Sequence, residues 1–364
     1  MKTWGILFSV LFTLPLLANQ PIEEKVELRK KITKAFDAPV SKTISASNRY
    51  GKITVVTYSG QQVKYDIEIV AKASSHAKAQ KVLDRVSIIF EDSPAVVSAT
   101  TEIEDKTAWL TWSWSGNAEL DIKYTVYVPD GRKLDLNQKY GNILMPVYNG
   151  ACTLETAYGN IEASDINAPY VVNIRYGNGR FGCIKSGTIN LKYSDMTANS
   201  VEKAEVDIKY GKLLVDNAHY LNVNSKYSNY NIGNCNTLSF SGGYDHVIVG
   251  ECGKLNYENK YGELEMGTLS GNASIIGSYH TTSIREIRSG VASIQIEGSY
   301  GNVNLSSQGG YQYMVEGKYT PVKKPGQAGD EDEDEDGKTL VKGSKKGGGP
   351  KISIIGSYNS VVLK

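Results

Sequence analysis

Four basic residues recur every 17 positions in the middle of the chain: Arg175, Lys192, Lys209 and Lys226. If this spacing reflects stacked coils, the cations form an outward stripe about 14 Å long, because neighbouring strands lie about 4.8 Å apart. Such a stripe matches an anionic polysaccharide. We favour the simpler interpretation of a solvated face, since Glu155 and Asp207 lie two positions before the stripe and neutralise part of it. Lysines on outer strand faces also keep sheets from associating.

Cys235 and Cys252 share the same 17-residue spacing. Stacked strands place their Cα atoms about 4.8 Å apart, within the range of a disulfide. Two interpretations stay open: a bridge, which an exported protein can form, and a pair of small buried apolar side chains, which we favour. Zinc is not predicted, because no third or fourth ligand lies in the same register.

Catalytic groups do not form a recognisable set. Glycoside hydrolases need paired carboxylates, and lyases use a base, often with Ca²⁺ held by clustered acids. No two or three aspartates recur in neighbouring repeats, no Ser-His-Asp set is recognisable, and the four histidines occupy different repeat positions. The sequence therefore predicts a protein that is not an enzyme and uses no cofactor or metal. A polysaccharide-degrading enzyme is kept as an alternative.

The repeat itself is defined by tyrosine, which accounts for 24 of the 364 residues. One tyrosine returns at steps of 17 or 18 residues, and later at steps of 21, 19 and 39. These residues are Tyr140, Tyr158, Tyr176, Tyr193, Tyr210, Tyr227, Tyr244, Tyr261, Tyr279, Tyr300, Tyr319 and Tyr358. Self-similarity at a fixed period indicates a stacked repeat architecture.

Each repeat is typical of a strand, a corner, a second strand and a turn. Apolar residues alternate before the key tyrosine, as at Leu134 and Leu136, and recur three and five positions after it. Glycine and asparagine often follow the tyrosine, and we expect them to supply a positive φ at the corner. The pattern predicts an all-β protein: a parallel β-helix, or β-solenoid, of about twelve coils of 17–18 residues.

The tyrosine column is predicted to be an architectural ladder, in which each ring packs on the next and keeps its hydroxyl in water. A track on which glycan rings stack is the alternative.

Residues 19–130 depart from the repeat. Tyr50 and Gly51 already resemble the corner of a first coil. Strands are predicted near 63–71, 86–90, 96–103 and 120–128, and Ser74 or Ser75 is expected to cap a short helix between the first two. This small α+β insertion is interpreted as a cap on the N-terminal end of the solenoid. Trp112 and Trp114 are assigned to core or cap packing rather than to a carbohydrate platform.

The remaining segments define the other domain boundaries. Residues 1–18 are predicted to be a signal peptide, because an apolar run too short to span a membrane follows Lys2. Residues 131–364 form the predicted solenoid. Within them, 323–350 is predicted as a charged, flexible loop that contains the acidic run Asp330 to Asp336. The final strand, near the C-terminus, has no evident cap.

Three stretches of the chain carry a resemblance: FDAPVSKTISASNRYGKITVVTYSGQQV, AQKVLDRVSIIF and YTVYVPDGRKLDLNQKYGNI. They resemble a bacterial family of exported β-helical proteins that is named adhesin-like and is defined by a domain of unknown function. The resemblance covers residues 30–364. It implies a surface or periplasmic location and a role in adhesion, and it brings no catalytic residues to carry over.

The charge balance narrows the class of partner. Lys and Arg number 40 and Asp and Glu number 39, which argues against bulk attraction to nucleic acid or to an anionic membrane. The sequence thus predicts an exported protein of the periplasm or cell surface, without a transmembrane segment after signal cleavage. It would be an envelope scaffold or adhesin-like protein with a cell-surface glycan or envelope protein as partner. The alternatives are a polysaccharide-binding or polysaccharide-degrading β-helix, and a structural protein that assembles through its coil ends; the oligomeric state stays open.

Overall fold

The computed structural model of the protein describes residues 25–104, 118–325, 331–346 and 348–364. The predicted signal peptide, and Trp112 and Trp114, lie outside these residues. The described residues form a parallel β-solenoid with a small α+β part near the N-terminus, which confirms the predicted fold class.

The N-terminal elements are six strands and one helix. They are β1 (Val26–Asp37), β2 (Thr43–Tyr58), β3 (Gln62–Ala73), α1 (His76–Asp84), β4 (Val86–Asp92), β5 (Val96–Ile103) and β6 (Glu119–Pro129). The Ser75 side chain caps α1 by accepting a hydrogen bond from the Lys78 amide, and Ala79, Val82 and Leu83 form its buried side. The predicted helix and its cap are thereby confirmed.

β2 is the first coil, and the other N-terminal strands cover its outer edge. Its first half pairs in parallel with β5, and its second half pairs in parallel with β6. β5 then pairs antiparallel with β4, while β6 pairs with β3 and β3 with β1, also antiparallel. The backbone groups of the first coil are therefore satisfied on both edges rather than left open for association.

The regular coils follow from β7 onward. They comprise β7 (Lys133–Met145), β8 (Cys152–Ala157), β9 (Ile161–Ala163), β10 (Tyr170–Arg175), β11 (Asn178–Lys192), β12 (Asp195–Lys209), β13 (Lys212–Lys226), β14 (Asn229–Gly243), β15 (His246–Lys260), β16 (Glu263–Leu269), β17 (Ala273–Ser278), β18 (Thr281–Ile287), β19 (Ser293–Ser299) and β20 (Asn302–Leu305). In the longest strands, each residue pairs in parallel with the residue 17 positions later, as Ile189 does with Val206. Equivalent positions of successive coils therefore lie directly above one another.

The interior of one coil shows where the chain bends. In β12 the buried residues are Met196, Ala198, Val201, Ala204, Val206 and Ile208. Alternation by two marks straight segments, because side chains of a strand point to opposite faces in turn. The two steps of three residues, on either side of Val201, mark bends that keep the apolar side chains pointing inward.

The corner tyrosine carries the positive φ, which corrects the expectation that glycine and asparagine would supply it. All thirteen corner tyrosines, Tyr50 included, have φ between 49° and 63°. The following glycine is needed for a different reason: a Cβ on Gly159 would lie 1.8 Å from the carbonyl oxygen of Gly141 in the preceding coil. Glycine is present there because the two backbones approach closely.

Ring stacking offsets the strain of this conformation. A left-handed tyrosine costs about 1–2 kcal/mol, because its Cβ approaches the next carbonyl oxygen. Each ring buries roughly 100 Å² against its neighbours, which contributes about 2.5 kcal/mol, and aromatic pairing adds about 0.5–1.5 kcal/mol. Stacking therefore exceeds the cost, and the strained corner persists in every coil.

The C-terminal coils lie out of chain order. Their strands are β21 (Tyr311–Lys318), β22 (Val322–Lys323), β23 (Glu331–Glu335), β24 (Lys338–Lys345), β25 (Lys351–Ile355) and β26 (Ser360–Leu363). β25 lies between β19 and β21, and β26 lies between β20 and β22. Accordingly the Tyr358 ring stacks between those of Tyr300 and Tyr319. The final strand is thus an internal layer and not an uncapped end.

Residues 323–350 were expected to form a loop, but their described part contains a β-hairpin. β23 and β24 pair antiparallel, and β24 pairs antiparallel with β21, whose outer edge it covers. Asp336 and Gly337 connect the two strands with φ of 51° and 72°. Two successive positive φ values suit a two-residue hairpin turn, for which Asp-Gly is a preferred sequence. This dipeptide was the signal that the sequence interpretation overlooked.

Replacing Tyr210 tests the conformation of the corner. At most strand positions glycine is less stable than alanine by roughly 0.5–1 kcal/mol. At Tyr210, with φ of 57°, we expect Tyr210→Gly to be more stable than Tyr210→Ala by about 1 kcal/mol, because alanine keeps the strain. Chemical denaturation of both variants measures the difference. The matched pair Tyr220→Gly and Tyr220→Ala, within β13, should show the opposite order; the same order at both sites would contradict a strained corner.

Two neighbouring isoleucines of β25 test whether this strand is an internal layer. Ile354 is 1% exposed and Ile355 is 44% exposed. We expect Ile354→Asp to lower the free energy of unfolding by more than about 3 kcal/mol, because it buries an unpaired carboxylate. Ile355→Asp should change it by less than about 1 kcal/mol. Equal, small effects of both changes on thermal unfolding would mean that β25 is a loosely attached tail.

Candidate functional site

The four predicted stripe residues do lie side by side on the outside of the solenoid. Arg175 pairs with Lys192, Lys192 with Lys209, and Lys209 with Lys226, across four adjacent parallel strands. All four side chains are exposed. The term basic column is used below for these four residues.

Acidic neighbours neutralise only part of the basic column. The Arg175 guanidinium lies 3.2 Å from a Glu155 carboxylate oxygen, and Lys209 Nζ lies 3.9 Å from Asp207. In the described part of the chain, Lys192 and Lys226 lie within 4.0 Å of no carboxylate. Their ammonium groups instead lie 6.0 and 5.4 Å from the ring centroids of the following tyrosines. Two of the four cations therefore remain available to a partner.

The corner tyrosines form one continuous ridge beside the basic column. Twelve consecutive ring pairs stack with centroids 4.8–5.2 Å apart and planes inclined by 3–28°. Eleven of the thirteen side chains, from Tyr158 onward, are 41–57% exposed. The name tyrosine ridge is used for this set of thirteen.

Stacking determines what the tyrosine ridge can offer to a ligand. Between the end rings Tyr50 and Tyr319, both faces of each ring contact neighbouring rings, so a sugar cannot lie flat on a ring face there. Ring edges and hydroxyl groups point outward instead. The geometry therefore supports hydrogen bonding along a line and disfavours the stacked-glycan alternative.

Asparagines flank part of the ridge on its other side. The Asn160 side-chain amide donates to Asn142 Oδ1 at 3.3 Å, and Asn178 donates to Asn160 Oδ1 at 3.2 Å. Their oxygens also accept backbone N–H groups of the next coil. These amides mainly satisfy one another, so they hold adjacent coils in register.

The two cysteines lie in register but are not bridged. Cys235 pairs with Cys252 across β14 and β15, and both are buried free thiols. Each sulfur lies close to the backbone carbonyl two residues later, at 3.2 and 3.3 Å. Burial raises the pKa of Cys235 to about 11 and that of Cys252 to about 12. Both side chains belong to the buried apolar core, and their role as small core residues rather than as a redox pair stays a prediction.

A buried polar group lies behind the ridge at Asp245, which is 2% exposed. Its Oδ1 accepts hydrogen bonds from the Ser225 hydroxyl and the Ser228 amide, both at 2.8 Å. Its Oδ2 has no hydrogen-bond partner among the described residues. Burial raises the pKa of this carboxyl, although hydrogen bonds, including those from Ser225 and Ser228, oppose the shift.

His280 is a second buried polar group near the same corner. Its Nδ1 lies 3.1 Å from the Gly262 carbonyl oxygen, and its Nε2 has no partner in the described residues. Burial lowers the pKa of His280 to about 4, so the ring is neutral at pH 7. Neither Asp245 nor His280 is placed for catalysis on an exposed ligand, because both are enclosed by the coil.

One exposed cluster was missed by the sequence interpretation, which predicted no metal site. His246, Glu263 and Glu265 bring one nitrogen and two carboxylate groups together on adjacent coils. The 17-residue period places His246 directly beside Glu263, and this offset was the signal that would have found the cluster.

Comparison with known proteins gives only distant likenesses. No family model matches the chain, and no curated protein matches it. A solved structure of a "putative cell adhesion protein" from Clostridium sporogenes is 11% identical, covers 93% of this chain and 99% of its own, and has a TM-score of 0.22. A "putative adhesin" from Parabacteroides distasonis is 9% identical, covers 76% and 97%, and has a TM-score of 0.32.

A further solved structure, a "putative lipid binding protein" from Parabacteroides distasonis, is 11% identical. It covers 92% of this chain and 96% of its own, with a TM-score of 0.26. The adhesin names agree with the resemblance drawn from the sequence. Among the described residues, no helix has the length and apolar character needed to cross a membrane.

Asp245→Asn tests the cost of the buried carboxylate. The folded-state pKa of Asp245 lies above its ordinary value of 3.8, so ionisation disfavours the folded state. This penalty is absent well below pH 3.8, grows as the pH rises from there to the folded-state pKa, and is constant above it. We expect the variant to gain stability relative to the parent between pH 3 and pH 7, measured by thermal unfolding. Exposed Asp216→Asn is the control; a parallel gain there would contradict the burial effect.

Proposed function

We propose that the protein is an exported, non-enzymatic β-solenoid that binds an extended anionic polysaccharide of the cell envelope or cell surface. The tyrosine ridge and the basic column form the binding surface. This adhesin-like role requires a long outer face rather than one pocket.

The observation that carries the proposal is the size and continuity of the tyrosine ridge. Eleven tyrosines, each 41–57% exposed, form one unbroken strip, whereas contiguous exposed apolar patches larger than a few hundred Å² are rare on soluble monomers. Patches of this size mark interaction sites. A linear ligand fits the strip better than a compact one, because the tyrosine hydroxyl groups of the strip repeat once per coil along a line.

The charge beside the ridge favours an anionic ligand. Lys192 and Lys226 have no carboxylate within ion-pair distance in the described residues, and they flank ring edges that carry hydroxyl groups. Ammonium and hydroxyl groups together bind carboxylate or sulfate oxygens by charge-assisted hydrogen bonds. The predicted signal peptide at residues 1–18 supports an exported location, where such polymers occur.

Binding to polygalacturonate, with neutral dextran as the comparison polymer, tests the proposal. We expect the mature chain to bind polygalacturonate, and more weakly at 300 mM than at 50 mM NaCl, because salt screens exposed charges. A Lys192→Glu, Lys209→Glu, Lys226→Glu variant should bind at least about tenfold more weakly, since exposed ion pairs of about 0.2–1 kcal/mol each become repulsions. Biolayer interferometry measures the affinity.

The matched control carries Lys185→Glu, Lys203→Glu and Lys254→Glu, an equal change of net charge on exposed positions outside the basic column. Equal weakening by both triple variants, or equal binding to dextran, would refute binding at the column. Replacing Tyr193, Tyr210 and Tyr227 by Phe removes hydroxyls and keeps the stack; we expect several-fold weaker binding with unchanged thermal unfolding. New reducing ends in polygalacturonate would instead show an enzyme.

A further inference from the structure

A separate cluster of side chains lies on the face that follows the corner. His246 is the second residue after the corner Tyr244, and Glu263 is the second residue after Tyr261. The two residues pair directly across β15 and β16. Glu265, two residues further along β16, points to the same outer face because side chains of a strand alternate.

The distances within the cluster match those around a bound metal ion. His246 Nε2 lies 3.2 Å from Glu265 Oε1 and 3.8 Å from Glu263 Oε2. One ligand atom from each residue lies within 4.8 Å of the other two. Tetrahedral zinc, with ligands at about 2.0–2.2 Å, requires its ligand atoms to be about 3.4 Å apart. The two separations from His246 Nε2 bracket this value, and the two carboxylates offer oxygens within 4.8 Å of each other.

We propose that His246, Glu263 and Glu265 bind one Zn²⁺ ion, through Nε2 and one oxygen of each carboxylate, with water in the remaining position. An imidazole with two carboxylates is a ligand set that zinc accepts. Ca²⁺ and Mg²⁺ prefer oxygen ligands alone, so the imidazole selects against them.

The surroundings of the cluster are compatible with an ion. The three side chains are 34–47% exposed, which leaves room for water on the ion. The Arg285 guanidinium lies 3.7 Å from Glu265 Oε2, the oxygen that does not face His246. It can thereby hold the carboxylate in orientation, as outer-shell partners of metal ligands do.

The adjoining described coils do not repeat the cluster. The positions equivalent to His246 and Glu263 in the adjoining coils are Asn229 and Thr281. Strand pairing between β15 and β16 therefore sets the spacing of the three ligands. The ligand side chains themselves occur only on these two strands. A general feature of the repeat does not explain them.

Isothermal titration of the chelator-treated mature chain with ZnCl₂ at pH 7.5 tests the site. We expect one Zn²⁺ per chain with micromolar affinity, and at least 20-fold weaker binding of CaCl₂ or MgCl₂. His246→Ala should weaken zinc binding at least 50-fold, and Glu263→Gln and Glu265→Gln at least 10-fold each.

The matched control is His219→Ala, since His219 is an exposed histidine outside the cluster that contacts Asn236. It should bind zinc like the parent, and circular dichroism should show that all variants keep their strand content. No zinc binding below 1 mM would overturn the proposal and would leave the hydrogen bond between His246 and Glu265 as the role of the cluster. Equal loss in His219→Ala, or none in His246→Ala, would also overturn it.

Discussion

Hydrogen bonding between coils at a fixed offset of 17 or 18 residues is the constraint on which the rest of the structure depends. Because Arg175 pairs with Lys192 and Cys235 pairs with Cys252, chemical character is organised in columns that run along the solenoid. Each residue of an inner coil lies between the residues at the same repeat position in the coil before it and the coil after it. Binding surfaces on such a scaffold therefore arise from substitutions at one repeat position, and a site needs only two or three adjacent coils.

The corner shows how the columns stabilise an otherwise unfavourable conformation. Left-handed φ values at thirteen tyrosines would be costly in isolation. Each ring, however, lies about 5 Å from the next, so every strained residue also contributes to a continuous stack. The same stack leaves the ring edges in solvent. One set of side chains therefore stabilises the corners through the ring faces and forms the outer surface through the ring edges.

Periodic features could be predicted from the sequence, because a short-range pattern determines them. The coil length, the first coil at Tyr50, and the helix capped by Ser75 all follow from spacing and capping rules. The origin of the positive φ was predicted wrongly, since Gly159 is required by backbone approach and Tyr158 adopts the strained conformation. A preference for glycine does not by itself tell which of these constraints applies.

Other features depend on pairing choices that the repeat does not encode. β25 lies between β19 and β21. Its alternating apolar residues would suit a position at the end of the solenoid equally well, so the pattern does not reveal which position it takes. The contact of His246 with Glu265 joins different repeat positions on neighbouring coils, so inspection of single columns does not reveal it. Residues with perturbed pKa values, such as His280, were likewise recognisable only once burial was known.

The out-of-order C-terminal layer has a consequence for the way the chain reaches its fold. During synthesis β21 emerges before β25, and both strands carry apolar residues at alternate positions that suit the free edge of β19. The earlier strand can therefore occupy the layer that belongs to the later one. Native closure requires β21 to stay one layer further out until β25 has paired, so the two strands compete for one edge. Folding of this end is then governed by the order in which strands arrive, whereas the regular coils from β7 to β20 stack in chain order and face no such competition.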